Sequence, residues 1–225
     1  MNQNNFKNQI NSTRKAYCFL GLPASGKGTQ TELLAKKIAA KILGAGDMIR
    51  GEIANADLTD PFSKSIEERY KKGIPQPDEV ILDIVKKNII KTNGNIILDN
   101  FPFSKNQTDL FFQLCQDLKI LDPVLVVIEI SKEEALKRVL SRKICSHCGT
   151  IFIDSGNQIC EKCGGALITR SDDNEETLKN RIGEYLPRTE EVKKYFALKG
   201  TVITISGEQS IKAVEEEINK KVLNE

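Results

Sequence analysis

A glycine-rich segment near the start of the chain joins a short apolar run to an amphipathic helical pattern. The apolar run covers 16–20, the helical pattern covers about 28–40, and the segment between them reads Gly-Leu-Pro-Ala-Ser-Gly-Lys-Gly-Thr. It matches G-x-x-x-x-G-K-[ST] with Gly28 inserted before Thr29. In this motif backbone N–H groups turn inward, and the N-terminus of the following helix adds positive potential. Lys27 adds a compact cation, so the segment predicts a loop that holds a triphosphate.

Short β-rich apolar runs alternate with helical patterns along the rest of the chain. Four runs have the length and composition of buried strands: 16–20, 95–98, 124–130 and 201–205. Capping boxes at Ser104 and Ser131, and early prolines at Pro61 and Pro77, mark helix starts between them. This alternation predicts an α/β fold, with a parallel sheet and helices on both of its faces.

Composition and charge fit one compact domain. They argue against a protein that attracts nucleic acid through its overall charge and against a membrane-spanning protein. The chain has 225 residues, 40% of them hydrophobic, which is enough for one core. Its 33 basic and 31 acidic residues leave a net charge of +2, so no global field attracts nucleic acid. The longest apolar run, at 124–130, is far shorter than the roughly 20 residues of a membrane span. Residues 1–15 are expected to form a polar tail, since they lack the apolar stretch of an export signal.

Four of the six cysteines lie where the helical pattern stops, in a segment at 142–169 punctuated by glycine and turn signals. Their spacing is Cys-x2-Cys-x11-Cys-x2-Cys, with glycine after each pair: Cys145, Cys148, Cys160 and Cys163. This pattern is typical of tetrahedral Zn²⁺, with two disulfides or four unrelated cysteines as the alternatives. With sulfur at every position the ion would be structural, replacing a core that so short an insertion cannot build. His147, the single histidine, is predicted to be exposed and not a ligand.

The other two cysteines, Cys18 and Cys115, sit in apolar runs and are expected to be small core residues. Paired Cys-x-x-Cys motifs without an export signal favour a reducing compartment with bound metal over disulfides. We therefore expect a cytoplasmic protein.

A carboxylate follows the apolar run at 95–98. Enzymes with this kind of phosphate loop hold Mg²⁺ near the phosphates with an Asp in such a place, directly or through water. Asp99 is therefore predicted to position the metal, although a single Asp after a strand is otherwise most often a turn residue.

Motifs along the chain resemble, in the same order, those of the adenylate kinase family of nucleoside monophosphate kinases with a long zinc-containing lid. The matching segments lie at 21–30, 46–50, 78–80, 99–102, 138–142 and 170–181. The resemblance implies a P-loop core at 16–141 and 170–225 with a parallel five-stranded sheet. It also implies a monophosphate-binding arm at 46–76 and a zinc-ribbon-like lid at 142–169. The implied reaction is Mg²⁺-dependent transfer between ATP and AMP, giving two ADP, with a structural Zn²⁺ in the lid.

The resemblance also implies roles for individual residues. The implied catalytic residues are Lys27, Asp99, Arg138, Arg142, Arg170 and Arg181. ATP is expected to contact Ala24, Ser25, Gly26, Lys27, Gly28, Thr29, Arg138, Arg142, Phe152 and Gln209. AMP is expected to contact Ala45, Arg50, Ile74, Pro75, Gln76, Asn100, Phe103, Gln107, Arg170 and Arg181. Positioning and cations suffice for this chemistry, since the acceptor phosphate is already ionised and needs no general base.

Three positions depart from the family pattern. Phe103 stands where an arginine usually grips the acceptor phosphate, and Lys105 is a candidate to replace that cation. Ala24 replaces a usual glycine of the phosphate loop. Ala45 stands where a hydroxyl residue often contacts the acceptor base, which leaves the identity of the base open.

Two side chains have alternative interpretations. Gln107 occupies the place of the glutamine that reads adenine in adenylate kinases, or it is only the capping-box partner of Ser104. Phe152 stacks on the adenine of ATP, or it packs within the lid.

Alternatives to an AMP kinase follow from the same positions. Ala45 permits another acceptor, such as UMP or CMP, which Gln107 disfavours. Phe103 permits a catalytically weak nucleotide-binding homologue, against which the retention of Lys27 and Asp99 argues. The expected partners are ATP and AMP, with no nucleic acid and no membrane, and the expected state is a monomer.

Overall fold

Strands and helices alternate from residue 16 onward in the computed structural model, which describes residues 14–57, 59–72, 74–153, 156–169 and 173–224. The strands are β1 (Ala16–Gly21), β2 (Lys41–Gly44), β3 (Ile96–Asp99), β4 (Val124–Glu129), β5 (Lys143–Cys145), β6 (Ile151–Phe152), β7 (Leu167–Ile168) and β8 (Thr201–Ser206). The helices are α1 (Lys27–Ile38), α2 (Ala45–Asn55), α3 (Pro61–Lys71), α4 (Asp78–Ile90), α5 (Lys105–Asp117), α6 (Lys132–Leu140), α7 (Glu175–Phe196) and α8 (Ile211–Leu223). Most of the predicted tail at 1–15 lies outside the described residues.

Five parallel strands form the central sheet in the order β2-β3-β1-β4-β8. Four of them match the predicted runs to within one or two residues. β2 at the sheet edge was not located from the sequence, because it is short and begins with an exposed lysine. The predicted parallel five-stranded sheet is confirmed.

Both faces of this sheet are buried beneath helices. Along β1, Cys18 and Leu20 belong to one apolar cluster, and Tyr17 and Phe19 belong to another. The first cluster includes side chains from α4, α5 and α7, and the second includes side chains from α1 and α8. Successive side chains of a strand point to opposite faces, so a strand covered on both sides requires an unbroken apolar run. The prediction of helices on both faces is confirmed.

The two isolated cysteines belong to the core, as predicted. Cys18 and Cys115 are both buried in the same apolar cluster. Burial raises the pKa of the Cys115 thiol to about 12. Both thiols are therefore protonated and act as small apolar side chains.

Several helices begin with a side-chain cap at a position that the sequence predicts. The hydroxyls of Ser104 and Ser131 accept hydrogen bonds from backbone N–H groups in the first turns of α5 and α6. Asp60 caps α3 with Pro61 at its first position, and Pro77 precedes α4. Among the described residues, no helix is both long and apolar enough to cross a lipid bilayer.

The carboxyl ends of three neighbouring strands bring the polar motifs together. Asp99 at the end of β3 is paired in register with Phe19 of β1 on one side and with Gly44 of β2 on the other. The glycine-rich loop follows β1, and α2 follows β2 without a gap. Since the strands are parallel, these segments meet at one edge of the sheet, where ligands bind in open α/β folds.

Two segments extend the core where the sequence predicts an arm and a lid. Residues 46–76 contain most of α2 and all of α3. Residues 142–169 contain β5, β6 and β7, which form a small antiparallel sheet in the order β6-β5-β7. The lid strands are only two or three residues long, so their pairing alone does not build a core.

Candidate active site and lid metal centre

A cleft of about 480 Å³ opens at the carboxyl edge of the central sheet. The glycine-rich loop, the arm, the segment after β3 and one side of α7 all line it. Most of the residues predicted to bind nucleotide face this one space: Ala24, Ser25, Gly26, Lys27, Gly28, Thr29, Ala45, Arg50, Ile74, Pro75, Gln76, Asp99, Asn100, Phe103, Gln107, Arg142 and Arg181. Arg170 lies outside the described residues, and its predicted role stays a prediction.

The glycine-rich loop leads directly into α1. Gly26, the N-cap of that helix, has a φ of 92°, which glycine adopts without steric cost. The Ser25 N–H donates to the Leu22 carbonyl over 3.0 Å, closing a turn just before the helix. The first backbone N–H groups of a helix have no partner within it. Together with the helix dipole they form a site for anionic oxygens.

Lys27 and Asp99 bring opposite charges to the floor of the cleft. The Lys27 Nζ lies 3.3 Å from Asp99 Oδ1, across the β1–β3 boundary. That carboxylate oxygen is buried and accepts no hydrogen bond of normal geometry from the described residues. An oxygen with spare acceptor capacity beside a phosphate loop suits a hard cation such as Mg²⁺.

Arg142 lines the cleft but is held by a carboxylate. Its Nε donates to Asp173 Oδ2 over 2.7 Å, and its Nη2 donates to the other oxygen. Both side chains are buried, with exposed fractions of 8% for Arg142 and 1% for Asp173. The pair ties the first residue of the predicted lid to the segment that leads into α7.

Arg138 supports the phosphate loop from outside the set of cleft-lining residues. Its Nη1 donates to the carbonyl oxygens of Gly207 and Ala24, over 3.0 and 3.4 Å. Its Nε donates to Glu134 one helical turn back in α6, over 2.6 Å. In this structure Arg138 therefore contacts the loop backbone. Its side chain would have to move into the cleft to contact a bound phosphate.

Arg50 is presented to the cleft by residues of the arm. Its Nη1 donates to the Tyr70 hydroxyl over 2.6 Å, which connects α2 with α3. Its Nη2 pairs with Asp47, one turn earlier in α2. The guanidinium is thus placed on the arm side of the cleft, opposite the glycine-rich loop.

Gln107 takes part in the cap at the start of α5, whereas its predicted contact with the acceptor base stays a prediction. Its backbone N–H is capped by the Ser104 hydroxyl over 3.1 Å. Its buried side chain accepts a hydrogen bond from the Phe103 N–H and donates one to Asp78 Oδ1, each over 2.7 Å. It also lines the cleft. Asp78 lies in the matching segment at 78–80, and the sequence pattern alone does not predict its contact with Gln107.

Two residues predicted to contact ATP lie away from the cleft. Phe152 packs against the buried cysteine cluster of the lid, and its strand neighbours Ile151 and Ile153 face the cleft instead. Successive side chains along an extended segment point to opposite sides, so Phe152 and its neighbours Ile151 and Ile153 cannot all face the cleft. Gln209 donates to Glu217 of α8 over 3.0 Å and does not line the cleft.

The four lid cysteines form one cluster. All four sulfur atoms lie within 4.8 Å of one another, and no disulfide joins them. Two of the separations are 3.4 Å between Cys145 and Cys163 and 3.6 Å between Cys148 and Cys160. This arrangement fits four thiolates around one Zn²⁺. The structure contradicts the alternatives of two disulfides and of four unrelated cysteines, and His147 is exposed beside the cluster.

The turns that carry these sulfur atoms depend on glycine. Gly149 and Gly164, which follow the two Cys-x-x-Cys pairs, have φ values of 69° and 75°. A Cβ on Gly165 would lie 2.9 Å from the sulfur of Cys145, so that position has no room for a side chain. The Thr150 hydroxyl lies 3.2 Å from the Cys148 sulfur.

Comparison with known proteins agrees with this arrangement of loop, arm and lid. The family model described as adenylate kinase matches residues 19–201. The chain belongs to the adenylate kinase family. An adenylate kinase of Acetivibrio thermocellus is 32% identical over 212 residues, covering 91% of this chain and 94% of its own. Adenylate kinases of Elusimicrobium minutum and Archaeoglobus fulgidus are 34% and 33% identical, covering 89% of this chain and 95% and 94% of theirs.

Two residues that line the cleft hold the left-handed backbone conformation that glycine adopts most easily. Ala24, one of the departures from the family pattern, has a φ of 59°, and Asn100 has a φ of 62°. The left-handed region costs most residues about 1–2 kcal/mol, and Asn tolerates it better than Ala. Both positions therefore carry local backbone strain that glycine would not have.

Phe103, a further departure from the family pattern, places an aromatic ring on the acceptor side of the cleft. The Phe103 ring packs on Tyr185 of α7, with 5.5 Å between ring centroids. Lys105, the predicted substitute for the family arginine, lies over the Tyr195 ring at 4.7 Å and does not line the cleft. The guanidinium of Arg188 lies beside Phe103, with its central carbon 5.6 Å from the centroid of the Phe103 ring. Sequence reasoning missed Arg188, although it lies two helical turns after Arg181 on the same face of α7.

Proposed function

We propose that this chain transfers the γ-phosphoryl group of MgATP to AMP and forms two molecules of ADP. One observation carries the proposal: the glycine-rich loop and the Arg50–Gln107 side line a single cleft at the carboxyl edge of the sheet. A donor triphosphate on the loop and an acceptor monophosphate on the arm side would thus face each other. The names of the relatives, which match about nine-tenths of the chain, support AMP as the acceptor.

The donor side is the loop from Ala24 to Thr29. Its backbone N–H groups and the α1 dipole bind the phosphates, and Lys27 neutralises charge on the outer oxygens. Asp99, whose buried Oδ1 lies 3.3 Å from Lys27 Nζ and accepts no hydrogen bond from the described residues, would hold Mg²⁺ directly or through water. When bound, Mg²⁺ neutralises charge that develops on the bridging phosphate oxygens.

The arginines supply the positive charge that the transfer requires. Charge spreads over the three equatorial oxygens of the moving group, and guanidinium groups can bind two such oxygens at once. Arg142 and Arg181 line the cleft, and Arg138 lies against the loop. Arg170, by resemblance, completes the set, and Arg50 binds the acceptor phosphate. No residue is needed to remove a proton, since the acceptor oxygen is already ionised.

Closure of the arm at 46–76 and the lid at 142–169 would exclude water from the transfer. Ile151 and Ile153 line the cleft yet are 49% and 41% exposed. Lid closure would bury these apolar side chains over the nucleotide, which favours the closed state. Removing water also strengthens the interactions between arginines and phosphates.

The lid is proposed to hold one structural Zn²⁺ on Cys145, Cys148, Cys160 and Cys163. Among the described residues of the lid, the buried cluster consists of Cys145, Cys160 and Leu167, with Phe152 packed against it. So small a core does not hold a lid together on its own, and a tetrahedral ion would supply the missing cross-links. We also propose that the chain works as a monomer, since it supplies both sides of the cleft.

An acceptor panel tests the reaction. Purified protein is mixed with ATP, Mg²⁺ and, in turn, AMP, GMP, UMP or CMP, with an acceptor-free mixture as the control for ATP hydrolysis. We expect ADP formation to depend on AMP and on Mg²⁺. Transfer to UMP or CMP in preference to AMP would favour the other monophosphate kinases. Nucleotide binding without transfer would favour a catalytically weak homologue.

A further inference from the structure

The side-chain amide of Gln107 is enclosed by a hydrogen-bond network at the starts of α4 and α5. Its Oε1 accepts from the Phe103 N–H, and its Nε2 donates to Asp78 Oδ1, each over 2.7 Å. The other Asp78 oxygen accepts from the Ser104 hydroxyl over 2.7 Å. Ser104 in turn accepts from the Gln107 N–H over 3.1 Å. The amide, the carboxylate and the hydroxyl therefore hold one another in place.

This network permits only one orientation of the Gln107 amide. A backbone N–H can only donate, and an ionised carboxylate can only accept. Asp78, the first residue of α4, supplies that carboxylate. Rotating the amide by half a turn would set its NH₂ against the Phe103 N–H and its oxygen against the carboxylate. The single proton of the Ser104 hydroxyl is already donated to Asp78, so it cannot compensate.

The fixed orientation decides what Gln107 offers to a ligand in the cleft. One N–H of Nε2 and one lone pair of Oε1 remain after the network is satisfied. A base that complements them must place an amine donor beside a ring-nitrogen acceptor. Adenine does so at its 6-amine and N1, and cytosine does so at its 4-amine and N3. Hypoxanthine, guanine and uracil carry a carbonyl and a ring N–H there, which is the reversed pattern.

We propose that Asp78 is a positioning residue that selects amino bases over oxo bases by fixing the Gln107 amide. The inference rests on the proposed function in one respect, that the acceptor base faces Gln107. Asp78 itself need not touch the nucleotide. Ring size then separates AMP from CMP, while the amide excludes IMP, GMP and UMP.

Binding of AMP and of IMP tests this proposal, since the two nucleotides differ only at the atoms that Gln107 would contact. Their affinities are measured by calorimetry for the wild type and for Asp78→Asn, whose amide can either donate or accept. Asp78→Glu keeps a carboxylate at the site. Glu79→Gln is the matched control, because it also removes one negative charge from the first turn of α4 and its side chain is exposed.

We expect the wild type to prefer AMP, and Asp78→Asn to reduce the AMP-to-IMP affinity ratio about tenfold. Asp78→Glu and Glu79→Gln should keep the ratio within about twofold, and ATP affinity should be unchanged in all variants. Equal weakening of AMP and IMP in Asp78→Asn would overturn the proposal, as would the same ratio change in Glu79→Gln. If Asp78→Asn does not fold, Asp78→Ser provides the same test.

The outcomes for this proposal and for the proposed function are separable. A wild type that binds AMP over IMP in an Asp78-dependent way but transfers no phosphoryl group would refute the reaction and keep the inference. Transfer to AMP, together with an AMP-to-IMP affinity ratio that does not depend on Asp78, would support the reaction and refute the inference. A protein that binds neither nucleotide would refute both.

Discussion

Arg142 and Asp173 form a buried, two-pronged ion pair across the base of the lid. The arginine begins the lid segment, and the aspartate stands just before α7, so the pair spans both connections between lid and core. Its guanidinium also lines the cleft. A phosphate oxygen that enters the cleft would compete with Asp173 for the same donors.

Removal of the carboxylate from this pair should destabilise the protein. In Asp173→Asn the buried Arg142 charge loses its compensation, and we expect the free energy of unfolding to fall by about 3 kcal/mol. Urea denaturation measures it. Glu175→Gln, which removes an exposed partner of Lys179 nearby, should change the value by less than about 1 kcal/mol. Equal losses of unfolding free energy in the two variants would mean that the buried pair stabilises the protein no more than the exposed pair does.

The Lys27 ammonium should be required for transfer and not for folding. Lys27→Met removes the cation of the phosphate loop, and we expect kcat with ATP and AMP to fall about 100-fold or more. Lys36→Met, on an exposed position of α1, is the control and should behave as the wild type. Both variants should remain folded, as judged by circular dichroism. Unimpaired transfer by Lys27→Met would remove the basis for the phosphate site.

Restoring the family arginine should improve use of the acceptor. Phe103→Arg places a guanidinium on the acceptor side of the cleft, and we expect kcat/KM for AMP to rise about tenfold, with KM for ATP unchanged. An unchanged or lower kcat/KM would contradict this expectation. Thermal denaturation of the same variant shows how much stability is lost with the Phe103–Tyr185 contact.

Arg188 already lies beside Phe103, and its removal is a separate test. If its guanidinium serves the acceptor phosphate in the closed enzyme, Arg188→Ala should raise KM for AMP about tenfold and leave KM for ATP unchanged. The same substitution in a Phe103→Arg background should then have a smaller effect. Equal effects in both backgrounds would show that Arg188 acts independently of the missing cation.

The lid should contain one zinc ion per chain, detected by elemental analysis. A chelator, or Cys148→Ser, should lower the melting temperature, because the ion stabilises only the folded lid. ATP binding to the phosphate loop should persist. Cys115→Ser, in the core, should leave the zinc content unchanged. A metal-free sample of identical stability would refute the zinc site.

Local patterns in the sequence determined much of this protein. The glycine-rich loop, the four β-rich apolar runs and the serine caps depend on residues within a few positions of one another. The two Cys-x-x-Cys pairs are local in the same sense, since the spacing within each pair places its two sulfur atoms. These features follow from backbone geometry and from side-chain periodicity, both of which can be read in one segment at a time.

Contacts between distant segments were decided only by the tertiary structure. Asp78 meets Gln107, Arg188 meets Phe103, and Asp173 meets Arg142, in each case from a different helix or loop. Periodicity shows which face of a helix is buried but not which residue of another element lies against it. The partner depends on how the sheet edge orients those elements. For the same reason the sequence did not predict that Lys105 lies over the Tyr195 ring, nor decide whether Phe152 packs within the lid.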